Sequence, residues 1–176
     1  MKYIFLDIDG VLRPFKAGTP GRELRKTNTT AVFSSRALDL LAQLVKGSGA
    51  AIVLSSNWRN IQTAEDAAAL KRFTDILADR GLYIFSQLEI PPASGGREAG
   101  AAPQRPGSDD REQRIRQWLR QNDPHPEAVC ILDDRPMDGP LAPYSVLCGC
   151  ETGLTEEDLL RAKQLLNGAA ESPLQG

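Results

Sequence analysis

The chain has 176 residues, of which 41% are apolar and 25% are charged, and its net charge is −2. This length and apolar content predict one α/β domain with a substantial core and leave little room for a second domain. The small negative charge argues against wholesale electrostatic binding of nucleic acid, although it is compatible with a local basic patch.

Targeting signals and metal-binding cysteine motifs are not evident. The first apolar run, Tyr3–Leu6, is too short for a signal-peptide core or a membrane span, so we expect a cytoplasmic protein with no membrane partner. Cys130, Cys148 and Cys150 are an odd number of cysteines, which indicates reduced thiols rather than a disulfide framework. Zinc is not expected, because Cys148 and Cys150 lack a second ligand pair and the single histidine, His125, lies between two prolines. No obligate protein partner is indicated.

The chain opens with a predicted buried strand, Tyr3–Leu6, that runs directly into Asp7-Ile8-Asp9-Gly10. Carboxylates at i and i+2 lie on the same side of an extended chain, so Asp7 and Asp9 point to one place beyond the strand. Such a pair is costly without a positive partner, and the usual partner is a hard divalent cation with a substrate phosphate. The alternative is a strand that ends in a polar turn, with Gly10 supplying the bend.

Helices and strands then alternate along the first half of the chain. After a polar stretch, Arg13–Ser34, Ser35 is a predicted N-cap for a helix with apolar residues at helical spacing up to Val45. A second apolar strand, Ala51–Leu54, ends in Ser55-Ser56. Thr63 and Asp66 predict a capped helix that ends at Gly81, and Leu82–Phe85 predicts a third strand.

The second half continues this alternation after a break in periodicity. Residues 91–107 are rich in Pro, Gly, Ala and Ser, which is typical of a mobile surface loop. Asp109 or Asp110 is predicted to cap a helix that buries Ile115, Trp118 and Leu119. A fourth predicted strand, Ala128–Leu132, ends in Asp133-Asp134, and Tyr144–Leu147 is predicted as a fifth strand. Thr155 then starts a last helix, so that residues 1–168 form the domain and residues 169–176 a flexible tail.

Repeated β-then-α units imply a Rossmann-like, doubly wound and mainly parallel five-stranded sheet with helices on both faces. Ligands bind such a sheet beyond the carboxyl ends of its strands. Three pairs of residues lie at those ends, namely Asp7 and Asp9, Ser55 and Ser56, and Asp133 and Asp134. Each pair has an ordinary interpretation, such as a helix-capping turn or an acidic loop. Three apolar strands that all end in metal or phosphate ligands are hard to obtain by chance, so the sequence predicts phosphoryl chemistry at this edge.

The same residues resemble the four motifs of haloacid dehalogenase-like (HAD) hydrolases. The motifs are Asp7-x-Asp9-Gly10-Val11-Leu12, Ser55 after a strand, a basic residue that opens a later helix, and Asp133-Asp134 after another strand. Two segments, Leu54–Arg59 and Thr152–Asp158, more closely resemble the HAD domain of Swiss Army knife RNA repair proteins. The resemblance covers nearly the whole chain and implies a magnesium-dependent phosphatase with a HAD-like core.

Roles for individual residues follow from this resemblance. It implies that Asp7 is a nucleophile that forms an aspartyl-phosphate and that Asp9 is the general acid and base. Magnesium would be held by Asp7, the backbone carbonyl of Asp9 and Asp134, with Asp133 as a neighbouring or alternative ligand. Ser55, helped by backbone amides near Ser56, would bind the phosphate.

The third motif departs from the family pattern, which usually has lysine. The segment 110–115 offers only Arg111 and Arg114. Counting back from Ile115 and Trp118 favours Arg111 as the phosphate-binding residue but leaves Arg114 open. A solvated basic helix face is the alternative interpretation.

Neither interval in which larger HAD proteins insert a cap domain is long enough here to fold as an independent cap. The resulting capless, open site suits a bulky or macromolecular substrate, such as a nucleic-acid end. Residues 13–26 carry five cations against one acid, Glu23, and are either a grip for a polyanion or a solvated flap. Trp58 is either a base-stacking residue or part of the core.

Other functions remain open from sequence alone. A phosphoprotein or a small metabolite is an alternative phosphatase substrate, and a catalytically silent binding domain would result if the arginine in the third motif disables the site. A response-regulator receiver is disfavoured, because its phosphorylated aspartate ends the third strand, where this chain has Phe85-Ser86.

Overall fold

A single parallel sheet organises the part of the chain that the computed structural model describes, residues 1–89 and 108–168. Its strands there are Lys2–Leu6 (β1), Ala51–Leu54 (β2), Ile84–Gln87 (β3), Ala128–Asp133 (β4) and Ser145–Leu147 (β5). Every neighbouring pair is parallel, in the order β3-β2-β1-β4-β5. The predicted doubly wound sheet is confirmed, and its winding reverses at β1, which places the ligand-binding crevice at the carboxyl end of that strand.

Helices cover both faces of this sheet. Within the described residues they are Gly21–Lys26 (α1), Ser35–Ser48 (α2), Ala64–Ala78 (α3), Ser108–Asn122 (α4) and Glu156–Asn167 (α5). Residues of α2, α3 and α5 form one core with one face of the sheet, and α4 forms a second core with the other face. None of these helices is long and apolar enough to cross a membrane.

The alternation of side chains along β1 decides which residues face α4. Ile4 and Leu6 belong to the core under α2, α3 and α5, whereas Tyr3 and Phe5 pack under α4. Trp118 of α4 contacts the rings of Tyr3 and Phe5 edge to face, with centroids 5.1 and 5.5 Å apart. Because successive side chains of a strand point to opposite faces, the residue after β1, Asp7, faces α4 as well.

Several predicted boundaries are confirmed and several are wrong. Thr63 and Thr155 are the N-caps of α3 and α5, which confirms the predicted starts of these helices, and each forms a capping box. The three cysteines are free thiols, as predicted. The N-cap of α2 is Ser34, not Ser35, because the extended backbone of Ser34 lets its hydroxyl accept from the Ala37 amide at 3.2 Å. The predicted mobile loop 91–107 and tail 169–176 lie outside the described residues.

The third strand was predicted two residues too early. Leu82 is apolar but closes the turn after α3, since its amide donates to the carbonyl of Leu77 at 3.0 Å. The sheet begins only at Ile84, and Ser86 and Gln87 pair with β2. Smaller shifts affect β5, which begins at Ser145, and α4, which begins at Ser108.

The predicted polar stretch Arg13–Ser34 is not irregular. It contains α1 and a 3-10 turn, Asn28–Thr30. No residue of α1 is buried, and the buried Ala31 belongs to the main core, so this segment has no core of its own and depends on contacts with the rest of the domain. That agrees with the expectation that it cannot fold as an independent cap.

Candidate active site

The carboxyl ends of the two central strands bring three aspartates together. Asp7 follows β1, and its amide donates to the carbonyl of Leu132 in β4 at 2.9 Å. Asp133 is the last residue of β4, and Asp134 follows it. Carboxylate oxygens of Asp7, Asp133 and Asp134 lie within 4.8 Å of one another. The structure therefore forms the acidic cluster that the sequence predicted.

Gly10 makes the approach of Asp134 possible. Its φ of +79° is in the left-handed region, which a residue with a side chain adopts only at a cost. A Cβ atom at this position would lie 2.4 Å from the Cβ of Asp134. The turn after β1 thus needs glycine for its backbone conformation and for the space that it leaves to Asp134.

Arg111, in the first turn of α4, supplies the positive charge inside this cluster. Its Nη1 donates to Oδ2 of Asp7 at 2.7 Å and also to Oδ2 of Asp133. Arg111 is buried because it lies four residues before Ile115, on the helix face that packs against the sheet. Arg114 is half-exposed and does not line the cavity at the site. Of the two arginines that the sequence left open, the structure places Arg111 at the aspartates.

The three aspartates respond differently to this environment. Burial opposes ionisation of Asp7, but Arg111, the Ser56 hydroxyl and Arg135 together lower the pKa of Asp7. Burial and the charge of Asp7 raise the pKa of Asp133 to about 7, and the same two causes raise the pKa of Asp134. The three carboxyl groups of the cluster thus carry more potential negative charge than the single positive charge of Arg111 can neutralise.

A magnesium ion fits this donor set. Magnesium prefers hard oxygen ligands and is usually bound through one or two carboxylates together with substrate phosphate. Three carboxylates whose oxygens lie within 4.8 Å of one another, two of them with raised pKa values, would be stabilised by a divalent cation. Arg135 lies at the rim, where its Nε is 3.7 Å from Oδ1 of Asp134 and its side chain is 49% exposed.

Asp9 has a separate set of partners. Its Oδ2 accepts from Nε1 of Trp58 at 3.0 Å, and its Oδ1 accepts from Nη1 of Arg13 at 3.1 Å. Burial raises the pKa of Asp9, and the charge of Asp7 adds to this, although the bonds from Trp58 and Arg13 oppose it. The pKa of Asp7 is therefore lowered and that of Asp9 is raised, so the two neighbouring carboxyls favour different protonation states.

Trp58 belongs to the core. It is 5% exposed and packs against the rings of Phe33 and Phe73. Of its two interpretations from sequence, the core is the one that the structure supports, with the indole N–H directed at Asp9.

The two serines after β2 take different positions. Ser55 is fully buried, and its amide continues the sheet by donating to the carbonyl of Leu6 at 2.9 Å. Ser56 lines the cavity, and its hydroxyl hydrogen-bonds to Asp7. Both serines are buried, and of the two it is Ser56 that lines the cleft.

A cleft of about 830 Å³ opens above these residues. Residues 15–28, named here the α1 wall, form one part of its lining, and residues 56–66 form another. The rest of the lining consists of Asp7, Asp9, Arg111, Asp134 and Arg135. The site is therefore a walled cleft, because the interval after the first motif folds against the domain.

Sequence reasoning missed two residues and misplaced one. Glu112 is buried and accepts from the amides of Gly139 and Leu141 at 3.0 and 3.3 Å, which ties the start of α4 to the loop after β4. Its position three residues before Ile115 is the helical signal that could have found it.

Arg135 is the second residue that the sequence analysis does not single out, although it directly follows Asp133-Asp134. Arg13 was counted as part of a basic flap, but it is buried against Asp9.

A family model for the HAD domain in Swiss Army Knife RNA repair proteins matches residues 3–159. The match begins in β1 and ends in the first turn of α5, so it includes the acidic cluster, Arg111 and the α1 wall. No curated protein and no solved structure gives a significant match.

Proposed function

The chain belongs to the family of HAD domains in Swiss Army Knife RNA repair proteins, and we propose that it is a magnesium-dependent phosphatase that acts through an aspartyl-phosphate intermediate. The observation that carries this proposal is the contrast between two aspartates at the end of β1. Arg111 favours the ionised form of Asp7, whereas burial favours the protonated form of Asp9. A nucleophile and an acid side by side are what hydrolysis of a phosphomonoester needs.

In the first step, a carboxylate oxygen of Asp7 attacks the phosphorus in line with the ester bond. The bond between phosphorus and the leaving oxygen breaks, and this oxygen takes the proton of Asp9. Arg111 and Ser56 lie beside Asp7, where they would donate hydrogen bonds to the transferring phosphoryl oxygens and stabilise their negative charge.

In the second step, Asp9 acts as a base. It takes a proton from a water molecule, whose oxygen attacks the phosphorus and breaks the bond to Asp7. Inorganic phosphate leaves, and both aspartates return to their initial protonation states. Magnesium, held by Asp7, Asp134 and the backbone carbonyl of Asp9 with Asp133 alongside, would offset the repulsion between these carboxylates and the phosphate.

Replacement of Asp7 by Asn tests the mechanism. We expect Asp7→Asn to keep the fold and to lose at least ~10³-fold of the p-nitrophenyl phosphatase activity measured with magnesium, since the amide is no nucleophile. Asp39→Asn, a change at an exposed aspartate of α2, is the matched control. Full activity of Asp7→Asn would refute the mechanism, and inactivity of the wild type on a panel of phosphomonoesters would favour a silent binding domain.

For the substrate class, we propose a phosphate at a nucleic-acid end. The cleft is much larger than a phosphate group requires, and the family description refers to RNA repair. Exposed cations lie on the α1 wall, and one of them, Arg25, lines the cleft; they are Lys16, Arg22, Arg25 and Lys26. Such cations attract a polyanion next to the reacting phosphate.

Arg22 and Lys26 test this assignment, because both are exposed and, at i and i+4, they share one face of α1. The double change to Ala should spare p-nitrophenyl phosphate but weaken turnover of a phosphorylated oligonucleotide at low salt, with a difference that shrinks as salt rises. Lys46 and Arg120, near the far ends of α2 and α4, provide a control that removes the same charge. Equal effects of the two double changes would favour a phosphoprotein or a small metabolite as substrate.

A further inference from the structure

Arg13 is a buried arginine whose contacts connect Asp9 with the α1 wall. Its side chain is 8% exposed, and its Nη1 donates to Oδ1 of Asp9 at 3.1 Å. The same guanidinium reaches three groups of the wall. They are the Leu24 carbonyl at 3.2 Å, Oδ1 of Asn28 at 2.9 Å and Oγ1 of Thr27 at 2.5 Å.

The backbone fixes the point from which Arg13 reaches out. Its amide donates to the carbonyl of Ile8 at 3.0 Å, and its carbonyl accepts from the amide of Gly10 at 2.8 Å. The guanidinium lies over the ring of Trp58, 5.7 Å from the ring centroid. Arg13 and Trp58 thus hold the two oxygens of the Asp9 carboxyl from two sides.

We propose that Arg13 is a positioning residue, which fixes the Asp9 carboxyl toward the leaving group only while the α1 wall keeps its contacts with Arg13. The proposal rests on the function proposed above and assigns a residue outside the acidic cluster, Arg111 and the serines. Since α1 has no buried residue of its own, the contacts of Arg13 with Leu24, Thr27 and Asn28 connect the order of the wall to the orientation of Asp9.

This role has a consequence that a merely structural role lacks. A leaving group that departs as a stable anion, such as 2,4-dinitrophenolate, needs no proton, whereas phenolate or an alkoxide does. The loss in kcat/KM, which reports the first phosphoryl transfer, should therefore depend on the leaving group. For Arg13→Ala we expect a loss of about 10-fold or more with phenyl phosphate and of less than about threefold with 2,4-dinitrophenyl phosphate.

A second signature comes from the hydrolysis of the intermediate, in which Asp9 acts as the base. With the activated substrate, slower hydrolysis should make the aspartyl-phosphate accumulate in Arg13→Ala. Rapid mixing should then show a burst of 2,4-dinitrophenol that is larger than in the wild type.

Arg72→Ala is the matched control for loss of an arginine that anchors the residues directly after the α1 wall. Nη1 of Arg72 donates to the carbonyls of Thr29 and Ala31 at 3.3 and 2.7 Å, and Arg72 lines no part of the cleft. Its change should affect both substrates equally. Arg13→Lys keeps the cation and should recover part of the activity toward phenyl phosphate.

If Arg13→Ala does not fold, Thr27→Val tests the same contact with Arg13 in place. It removes the acceptor of Nη2, together with the bonds of that hydroxyl to the carbonyls of Glu23 and Leu24, and leaves a side chain of similar size. A leaving-group dependence in the same direction would support the proposal. Equal losses on both substrates in Arg13→Lys and Thr27→Val, in an active wild-type background, would overturn this inference alone. A wild type that is inactive on both substrates would overturn the proposed function and the inference with it.

Discussion

Replacement of Arg111 by Met in the metal-free protein should cause a large and pH-dependent loss of stability. Arg111 is buried and contacts two buried carboxylates, Asp7 and Asp133. Methionine keeps most of the aliphatic stem but removes the positive charge between them. Removal of one partner from a buried ion pair is costly, because the remaining charge stays in a poorly solvated place.

The structure sets the scale of this loss. Nη1 of Arg111 lies 2.7 Å from Oδ2 of Asp7, and opposite charges about 4 Å apart attract by about 4 kcal/mol at an effective dielectric constant of about 20. Breaking buried pairs costs about 3–5 kcal/mol, which agrees with that value. At roughly 2–4 °C per kcal/mol for a domain of this size, the melting temperature should fall by about 8–16 °C near pH 8.

The pH dependence follows from the two pKa shifts. Asp7 has a lowered pKa, so its contribution to stability is present above about pH 4 and is lost as pH falls. Asp133 has a pKa of about 7, so the folded state binds more protons than the unfolded state between about pH 4 and pH 7, and stability falls as pH rises through this range. Loss of Arg111 raises both pKa values. The stability of Arg111→Met should therefore fall more steeply with pH, and its difference from the wild type should be smallest near pH 5 and largest near pH 8.

Thermal unfolding in EDTA between pH 5 and pH 8 measures this difference. Arg114→Met, a change at a half-exposed arginine of the same helix, is the control and should produce a smaller shift with little pH dependence. A shift of less than about 3 °C in Arg111→Met, equal at both ends of this pH range, would show that Arg111 does not compensate Asp7 and Asp133.

Two further predictions concern the metal site. Magnesium should raise the melting temperature of the wild type, and Asp134→Ala should abolish that rise; equal shifts in both proteins would place the metal elsewhere. Gly10→Ala should lose about 1–2 kcal/mol from its backbone conformation and also most of the response to magnesium, because the new Cβ would lie 2.4 Å from the Cβ of Asp134. Gly18→Ala is the matched control, since Gly18 has a φ of +83° but no atom within 4 Å of the added Cβ. A full magnesium response in both glycine variants would show that a Cβ at position 10 does not displace Asp134 from the metal site.

The central part of the fold was predictable because local and global signals agree there. β1, β2 and β4 are short apolar runs that end in polar residues, and the parallel sheet brings those ends to one edge. Helical periodicity also favoured Arg111 over Arg114, since the face that carries Ile115 must pack against the sheet. The acidic cluster and the arginine inside it, Arg111, were therefore predictable from the sequence.

Boundaries failed where neighbouring residues offered the same chemistry. Ser34 and Ser35 are both good N-caps, and only the backbone conformation of Ser34 distinguishes them. Leu82 is as apolar as a strand residue, but it packs beneath the end of α3. These differences arise from tertiary packing, which a local pattern does not contain.

The α1 wall shows why a count of charges along the sequence overestimates a basic surface. Arg13 is turned inward to Asp9, and Nη2 of Arg25 lies 3.8 Å from Oδ2 of Asp66, which also lines the cleft. The outward cations that remain are Lys16, Arg22 and Lys26, with Glu23 among them. Such a surface can neutralise only a few phosphates, so the affinity for a long polyanion should depend weakly on salt. A substrate held mainly by its terminal phosphate, with few further backbone contacts, fits this distribution of charge better than one bound along its length.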